Sequence, residues 1–587
     1  MQPFHPSLKY SEISSHWLYR LSTALGCVLA AAALILNYGF VIPENAEYAL
    51  GWIELGLAIL FAALSAIDLL HLGSWRKWNG SAIIELVLLS ALALELLFSW
   101  AVLFEWSWRN MPSIPTINQR IFSLEIYLAF FAARRAARSV RRLHIFFFSP
   151  AVTMALSFML LIFTGACVLL LPRASHGTLT PNVSPIDALF TSTSAVCVTG
   201  LIVKDTPVDY SRFGQIVIAA LIQLGGLGIM TFAAIFAFAF GQGGIRHRAV
   251  MQDILSTDGL FRVKSLLWTI LFATLTCEGI GAFFLFLAFL SHSISAPEAL
   301  FSAVFHSISA FCNAGFSTFS NNLETYAASP VINLTIIFLI VAGGIGFSVI
   351  QEMVVWGKKF FVRRSFSRLS LHSRLTLIVT GILLTAGFIA VLLGGDWREA
   401  GWTKTILASL FQSVTTRTAG FNTIPMNQLA HWCLVFFMML MFVGGAPGGT
   451  AGGIKVTTLG LLFHTTRALM KGRQRVEIMR RTISLQTVRS AFVISGMAAA
   501  YVSFAVMALT WTDPDLPFFD IVFEVFSAFG TVGLSLGITA KLSTLGKIVI
   551  IITMYLGRVG PLTVFLAVSF KQDDAQYEYP MESIVVG

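Results

Sequence analysis

Charged side chains are scarce: Asp, Glu, Lys and Arg make up 12% of the 587 residues, about half the share of a soluble domain. That excludes an ordinary soluble enzyme, and with 56% hydrophobic residues it defines a polytopic membrane protein. Cysteine is sparse too. Cys27, Cys167, Cys197, Cys277, Cys312 and Cys433 form no Cys-x-x-Cys pair; they read as small buried apolar residues, not as disulfides or metal ligands. The eleven histidines are dispersed, with no His-Glu-x-x-His or Asp-Asp-x-x-Asp cluster, which argues against a membrane enzyme. A nucleotide-binding fingerprint is missing, so no nucleotide is expected on this chain. Gly225-Gly226-Leu227-Gly228 and Gly343-Gly344-Ile345-Gly346 sit inside apolar runs with no preceding strand, and read as helix-packing glycines. The first residues hold no short apolar core with a cleavage site, so a removed signal is not expected.

What is present is one short pattern written four times: Val198-Thr199-Gly200-Leu201, Asn313-Ala314-Gly315-Phe316, Thr418-Ala419-Gly420-Phe421 and Thr531-Val532-Gly533-Leu534. The glycines are 115, 105 and 113 residues apart. This period is too long for a solenoid and fits two membrane spans with a loop between them. Residues 1–142 carry apolar runs near 18–42, 48–71, 82–104 and 121–133, read as an N-terminal bundle of about four accessory helices. Arg135, Arg138 and Arg141 follow at three-residue spacing; their place after the apolar run favours an interfacial helix over a voltage sensor. Repeat one spans 145–245, repeat two 246–360, repeat three 361–475 and repeat four 476–571, with a tail at 572–587.

Each repeat predicts a spanning helix, a short helix and a second spanning helix. The ranges are 148–172, 184–196 and 212–240; 263–291, 297–312 and 330–356; 374–395, 402–417 and 429–468; 488–511, 518–530 and 544–570. The expected fold is all-α, with the four repeats in a pseudo-fourfold arrangement around one pore. With the N-terminus inside, the inner loops 72–81, 134–145, 241–262, 357–374 and 467–489 hold most loop Lys and Arg, and only 105–120 departs. The positive-inside rule then places both termini in the cytoplasm. It also accounts for the net charge of +10 without nucleic acid.

A short helix of about a dozen residues, roughly 18 Å long, stops inside the membrane. Backbone is tolerated there only if buried in protein or lining an aqueous path. Four such loops on one axis satisfy both conditions: their carbonyls can replace the water shell of a cation, and four helix C-termini favour positive charge. The second helix of repeat three is interrupted by Gly444-Gly445-Ala446-Pro447-Gly448-Gly449-Thr450-Ala451-Gly452-Gly453, which cannot stay helical and reads as a gate beneath the loops. Arg558, midway along 544–570, is costly in a membrane unless it meets water or a partner; it is expected to face the pore and meet that loop. Glu278 is expected to pair with a polar group near the short helices, and Asp520 and Glu524 to brace the fourth loop or face its mouth.

These loops, the broken helix and the tail resemble the Trk/Ktr/HKT superfamily of potassium transporters over residues 145–587, and most nearly its Ktr-type membrane subunits. The resemblance implies a homodimer, each chain with its own pore, in a bacterial cytoplasmic membrane. Potassium would sit at the carbonyls of Thr199, Gly200, Ala314, Gly315, Ala419, Gly420, Val532 and Gly533. Glycine in all four loops goes with potassium, serine in the first with sodium. The resemblance further implies an intramembrane gating loop followed by Lys455, an electrostatic barrier at Arg558, and a tail (Tyr579 to Gly587) at the dimer interface. A cytoplasmic ring of RCK-type subunits binding ATP and ADP would contact 241–262 and 357–374, and uptake would depend on sodium. A Trk-type or sodium-conducting member is the alternative, with a membrane enzyme the different-class reading. The four extra N-terminal spans depart from the Ktr pattern.

Overall fold

The computed structural model describes residues 150–176, 183–240, 260–363, 369–397, 401–473, 475–560 and Thr563, with scattered positions between 25 and 61 and Ser90. Two compact units divide the chain: Met1–Phe147 with Leu171–Pro181, and Phe148–Leu170 with Asn182–Gly587. In the first, the described positions between 25 and 90 are helical apart from Phe40, and the buried Phe61 ring lies against Gly26. The arginine run after residue 133 and the tail after Thr563 lie outside the described residues, as do 241–259 and 364–368 of the two basic loops.

The second unit is helical. Its elements run α1 (Pro150–Leu169), α2 (Pro185–Val196), α3 (Arg212–Phe240), α4 (Leu260–Ser291), α5 (Ala296–Phe311), α6 (Pro330–Gly344) and α7 (Phe347–Arg363). Then follow α8 (Leu371–Gly394), α9 (Trp402–Thr415), α10 (His431–Phe442), α11 (Val456–Met470), α12 (Leu485–Thr512), α13 (Phe518–Gly530) and α14 (Thr544–Val559). A two-residue hairpin, Glu477–Ile478 with Arg481–Thr482, joins α11 to α12. Among the described residues, α1, α4, α8 and α12 are long and apolar enough to cross a membrane, as is the bent pair α6–α7 if counted as one span. This is the pattern of a helical polytopic membrane protein.

Local chemistry sets the helix starts. Ser184 accepts the N–H of Asp187 and Pro185 opens the first turn of α2; Ser370, Ser484 and Ser543 cap α8, α12 and α14 in the same way. The short helices α2, α5 and α9 are pinned to the long helix before each by one buried hydroxyl. Ser192 Oγ donates to Ile162 O (2.7 Å), Ser307 Oγ to Glu278 O (2.6 Å) and Ser413 Oγ to Leu384 O (2.6 Å). Three residues beyond each acceptor stands Gly165, Gly281 or Gly387, where a Cβ would strike that hydroxyl. Around the unit, α3 packs on α5, α6 on α9, α10 on α13, and α14 returns to α2.

Two expected helices are interrupted. The predicted span 330–356 breaks after Gly344 and turns by 104° before α7, so Gly343 packs on the Phe311 carbonyl as a helix glycine while the rest of the run Gly343-Gly344-Ile345-Gly346 forms a break. Gly346 takes φ +95°, and the freed backbone groups bond elsewhere, as described below. In the predicted span 544–570, the described helix α14 runs to Val559, where Gly560 takes φ +92°, and Thr563 beyond it is helical again; Arg558 lies in the last turn before that interruption. The cysteines form no disulfide, but only Cys197, Cys312 and Cys433 are buried; Cys27 and Cys277 are half-buried and Cys167 is exposed on α1.

Candidate functional site

The four glycine loops share one backbone conformation. Val198, Asn313, Thr418 and Thr531 have φ of 56°, 61°, 71° and 50°, and Gly200, Gly315, Gly420 and Gly533 follow two residues later at 88°, 71°, 76° and 92°. Non-glycine residues rarely hold positive φ, so four at equivalent positions mark a built feature. Hydroxyls hold the loops in two pairs. Ser194 Oγ and Ser527 Oγ accept the N–H of Gly200 (3.0 Å) and Gly533 (3.1 Å). Ser309 Oγ and Thr415 Oγ1 donate to Phe316 O (2.8 Å) and Phe421 O (2.5 Å).

The loops meet in cyclic order. A Cβ on Gly200 would overlap the Ala314 carbonyl oxygen, on Gly315 that of Ala419, on Gly420 that of Val532, and on Gly533 that of Thr199. The absent side chains are what allow the ring to close. Lys547 closes the ring's outer edge, donating from α14 to Asp187 Oδ1 on α2 at 2.7 Å. Above the ring opens a cavity of about 400 Å³ lined by the four glycines, Asp205, Glu324 and Asn422 among others. Asn422 donates to Glu324 at 2.7 Å. Partial burial pushes the Glu324 carboxyl above the ordinary glutamate value, against the lowering effect of that bond.

On the other side lies the predicted gate, residues 444–453, within the 443–455 link between α10 and α11. It bonds to the α6–α7 break: Ala446 N to Gly344 O (3.0 Å), Thr450 N to Gly343 O (3.1 Å) and Phe347 N to Gly448 O (3.0 Å). Gly448 and Gly453 take positive φ. A Cβ on Gly445 would strike Ala451, on Gly449 the carbonyls of the break, and on Gly452 the Thr531 hydroxyl. The loop therefore presses directly against the fourth glycine loop. Arg558 is 4% exposed and donates to Thr450 O, Gly225 O (2.8 Å) and Gly226 O (3.2 Å). Its partners are carbonyls, which carry no full charge to neutralise it. Lys455 donates to Ala451 O at 2.8 Å.

Glu278 receives Gln223 Nε2 at 3.3 Å. Glu524 is buried on α13 and receives Ser535 Oγ (2.7 Å) and Thr539 Oγ1, which ties the chain after the fourth loop back to its helix. Sequence reasoning passed over Arg417 in the third loop, the Asp187–Lys547 pair and Glu324. Arg417 had a visible signal: it is the arginine at the place where the other loops carry Cys197, Cys312 and Gly530.

A ring of carbonyls within a helical membrane protein is a feature of the class of proteins that handle cations. Comparison with known proteins agrees. Residues 149–579 match the family model TrkH, described as a cation transport protein. The Ktr system potassium uptake protein B of Bacillus subtilis is 38% identical over 446 residues, covering 75% of this chain and 97% of that protein. The potassium/sodium uptake protein NtpJ of Enterococcus hirae is 37% identical over 449 residues, with coverage of 75% and 97%. The crystal structure of the potassium transporter TrkH from Vibrio parahaemolyticus shares the fold, with a TM-score of 0.57 at 20% identity, covering 84% of this chain and 99% of that one. The chain belongs to the TrkH family of cation transport proteins.

Proposed function

We propose that this chain takes up potassium across a bacterial cytoplasmic membrane. In this reading the four repeats, each of span, short helix, loop and span, surround one pore with pseudo-fourfold symmetry. The dehydrated ion passes the carbonyls of Thr199, Gly200, Ala314, Gly315, Ala419, Gly420, Val532 and Gly533. The observation that carries the proposal is the cyclic contact of the four glycines with their neighbours' carbonyls. Only loops on a common axis make that pattern, and carbonyls on an axis substitute for an ion's hydration shell. The cavity with Asp205 and Glu324 is the outer vestibule, where negative charge raises the local cation concentration.

Loop 443–455 is the gate, and Arg558 holds it shut while placing positive charge below the ring. Gly200 favours potassium over sodium; NtpJ, a potassium/sodium uptake protein by name, keeps sodium as the second cation to test. By the same likeness, the chain works as a homodimer under a cytoplasmic RCK-type ring that binds ATP and ADP, with sodium-dependent uptake.

The test is growth of a potassium-uptake-deficient strain carrying this chain, with potassium and sodium varied separately. Growth restored at low potassium, and not by sodium alone, is the expected outcome; no rescue at normal membrane levels, with and without a co-expressed regulatory subunit, overturns it. Arg558→Ala should raise potassium flux or weaken its apparent affinity, and unchanged uptake kinetics would remove Arg558 from the gate.

A further inference from the structure

The end of α10 leaves a vacancy in the backbone bonding of repeat three: the helix stops at Phe442, and Val443 is already extended (φ −99°, ψ 97°). In a continuous helix the carbonyl of Val443 would accept the N–H of residue 447, and proline has none. The Gly444 carbonyl would accept from residue 448, but Gly448 takes φ +77°. Both carbonyls sit at the negative end of α10, with no place in its ladder. Arg417 fills the gap: its guanidinium donates to Val443 O at 2.7 Å and to Gly444 O at 2.5 Å. Arg417 is 6% exposed, and these carbonyls are what hold its charge away from water.

Internal comparison sharpens the point. Arg417 stands three residues before Gly420, where the other loops have Cys197, Cys312 and Gly530. In those repeats a second-helix glycine packs on the carbonyl four residues before the loop glycine: Gly225 on Val196, Gly343 on Phe311 and Gly557 on Phe529. Repeat three instead has an arginine reaching from the glycine loop into the start of the gate.

We propose that Arg417 is the positioning residue that anchors the fixed end of the gate to the third glycine loop, and so couples ion discrimination to gating. Residues 443–444 stay with the ring. The moving part begins beyond them and is held by neutral bonds and by Arg558. The proposal rests on the transport reading above.

The test uses the full chain in proteoliposomes, with flux driven by potassium or sodium gradients. Losing one charge-assisted bond corresponds to roughly a tenfold change in an equilibrium. R417Q is therefore expected to lower the potassium-over-sodium flux ratio roughly tenfold, with R417K in between. R558A should raise flux while keeping the ratio. If R417Q does not fold, R417K decides the matter alone. A wild-type chain that moves no cation defeats the transport reading itself. A selective wild type whose folded R417Q or R417K variant keeps the full ratio overturns the anchor and leaves transport standing.

Discussion

Gly200 shows how a single residue serves two constraints. Its φ of +88° is reached without strain only by glycine, and its missing Cβ makes room for the Ala314 carbonyl. Sequence conveyed the first requirement, since a glycine repeated in four equivalent loops has to be doing something to the backbone. The neighbour it touches was not legible, because the contact joins loops more than a hundred residues apart. Glu324 was invisible for another reason. An acidic residue in a polar loop looks solvated until the fold places it in the cavity. Its raised pKa means that, as pH falls, it becomes neutral before an ordinary glutamate does. Apparent potassium affinity should therefore weaken on acidification while ordinary carboxylates remain charged. Transport assays across that range should show the dependence in wild type and its loss in Glu324→Gln, which behaves at all pH values like the acidified protein.

Among elements, the short helices depend on what lies against their last turn. Gly557 of α14 sits on the Phe529 carbonyl at the end of α13, a backbone group that cannot rotate aside. Gly557→Ala should cost about 1–3 kcal/mol through overpacking, read as a lower melting temperature in detergent, and should disturb the fourth loop. Gly279→Ala on α4 meets nothing within 4 Å; it should be neutral or stabilising by up to about 1 kcal/mol. Helix lengths were mostly legible, because long apolar runs and short amphipathic ones differ in hydropathy alone. The break after Gly344 was not. A run of glycines in an apolar stretch signals close packing as readily as a bend, and what decides is a partner for the freed groups. That partner is the loop at 446–450, far away in sequence. Pro447 among many glycines made the interruption in repeat three plain, whereas the carbonyls that Arg417 reaches there were hidden by distance.

At the scale of the molecule, the N-terminal residues form a compact unit of their own with Leu171–Pro181, while the glycine ring belongs wholly to the other. Deleting 1–142 should leave potassium flux in proteoliposomes intact; loss of flux from a chain that still inserts would make the bundle part of the transport machinery. The four glycine loops were legible from their spacing. The direction in which they go round was not, because a repeated motif states similarity and carries no neighbour list.

That circuit is completed only by its two ends. Gly533 must reach Thr199, and Lys547 must reach Asp187 across 360 residues of chain. A chain that stops before Gly533 therefore cannot close the ring. On the proposed pathway, prematurely terminated products should carry no cation. A cell making this protein would then be spared a leak until the final few dozen residues had been laid down.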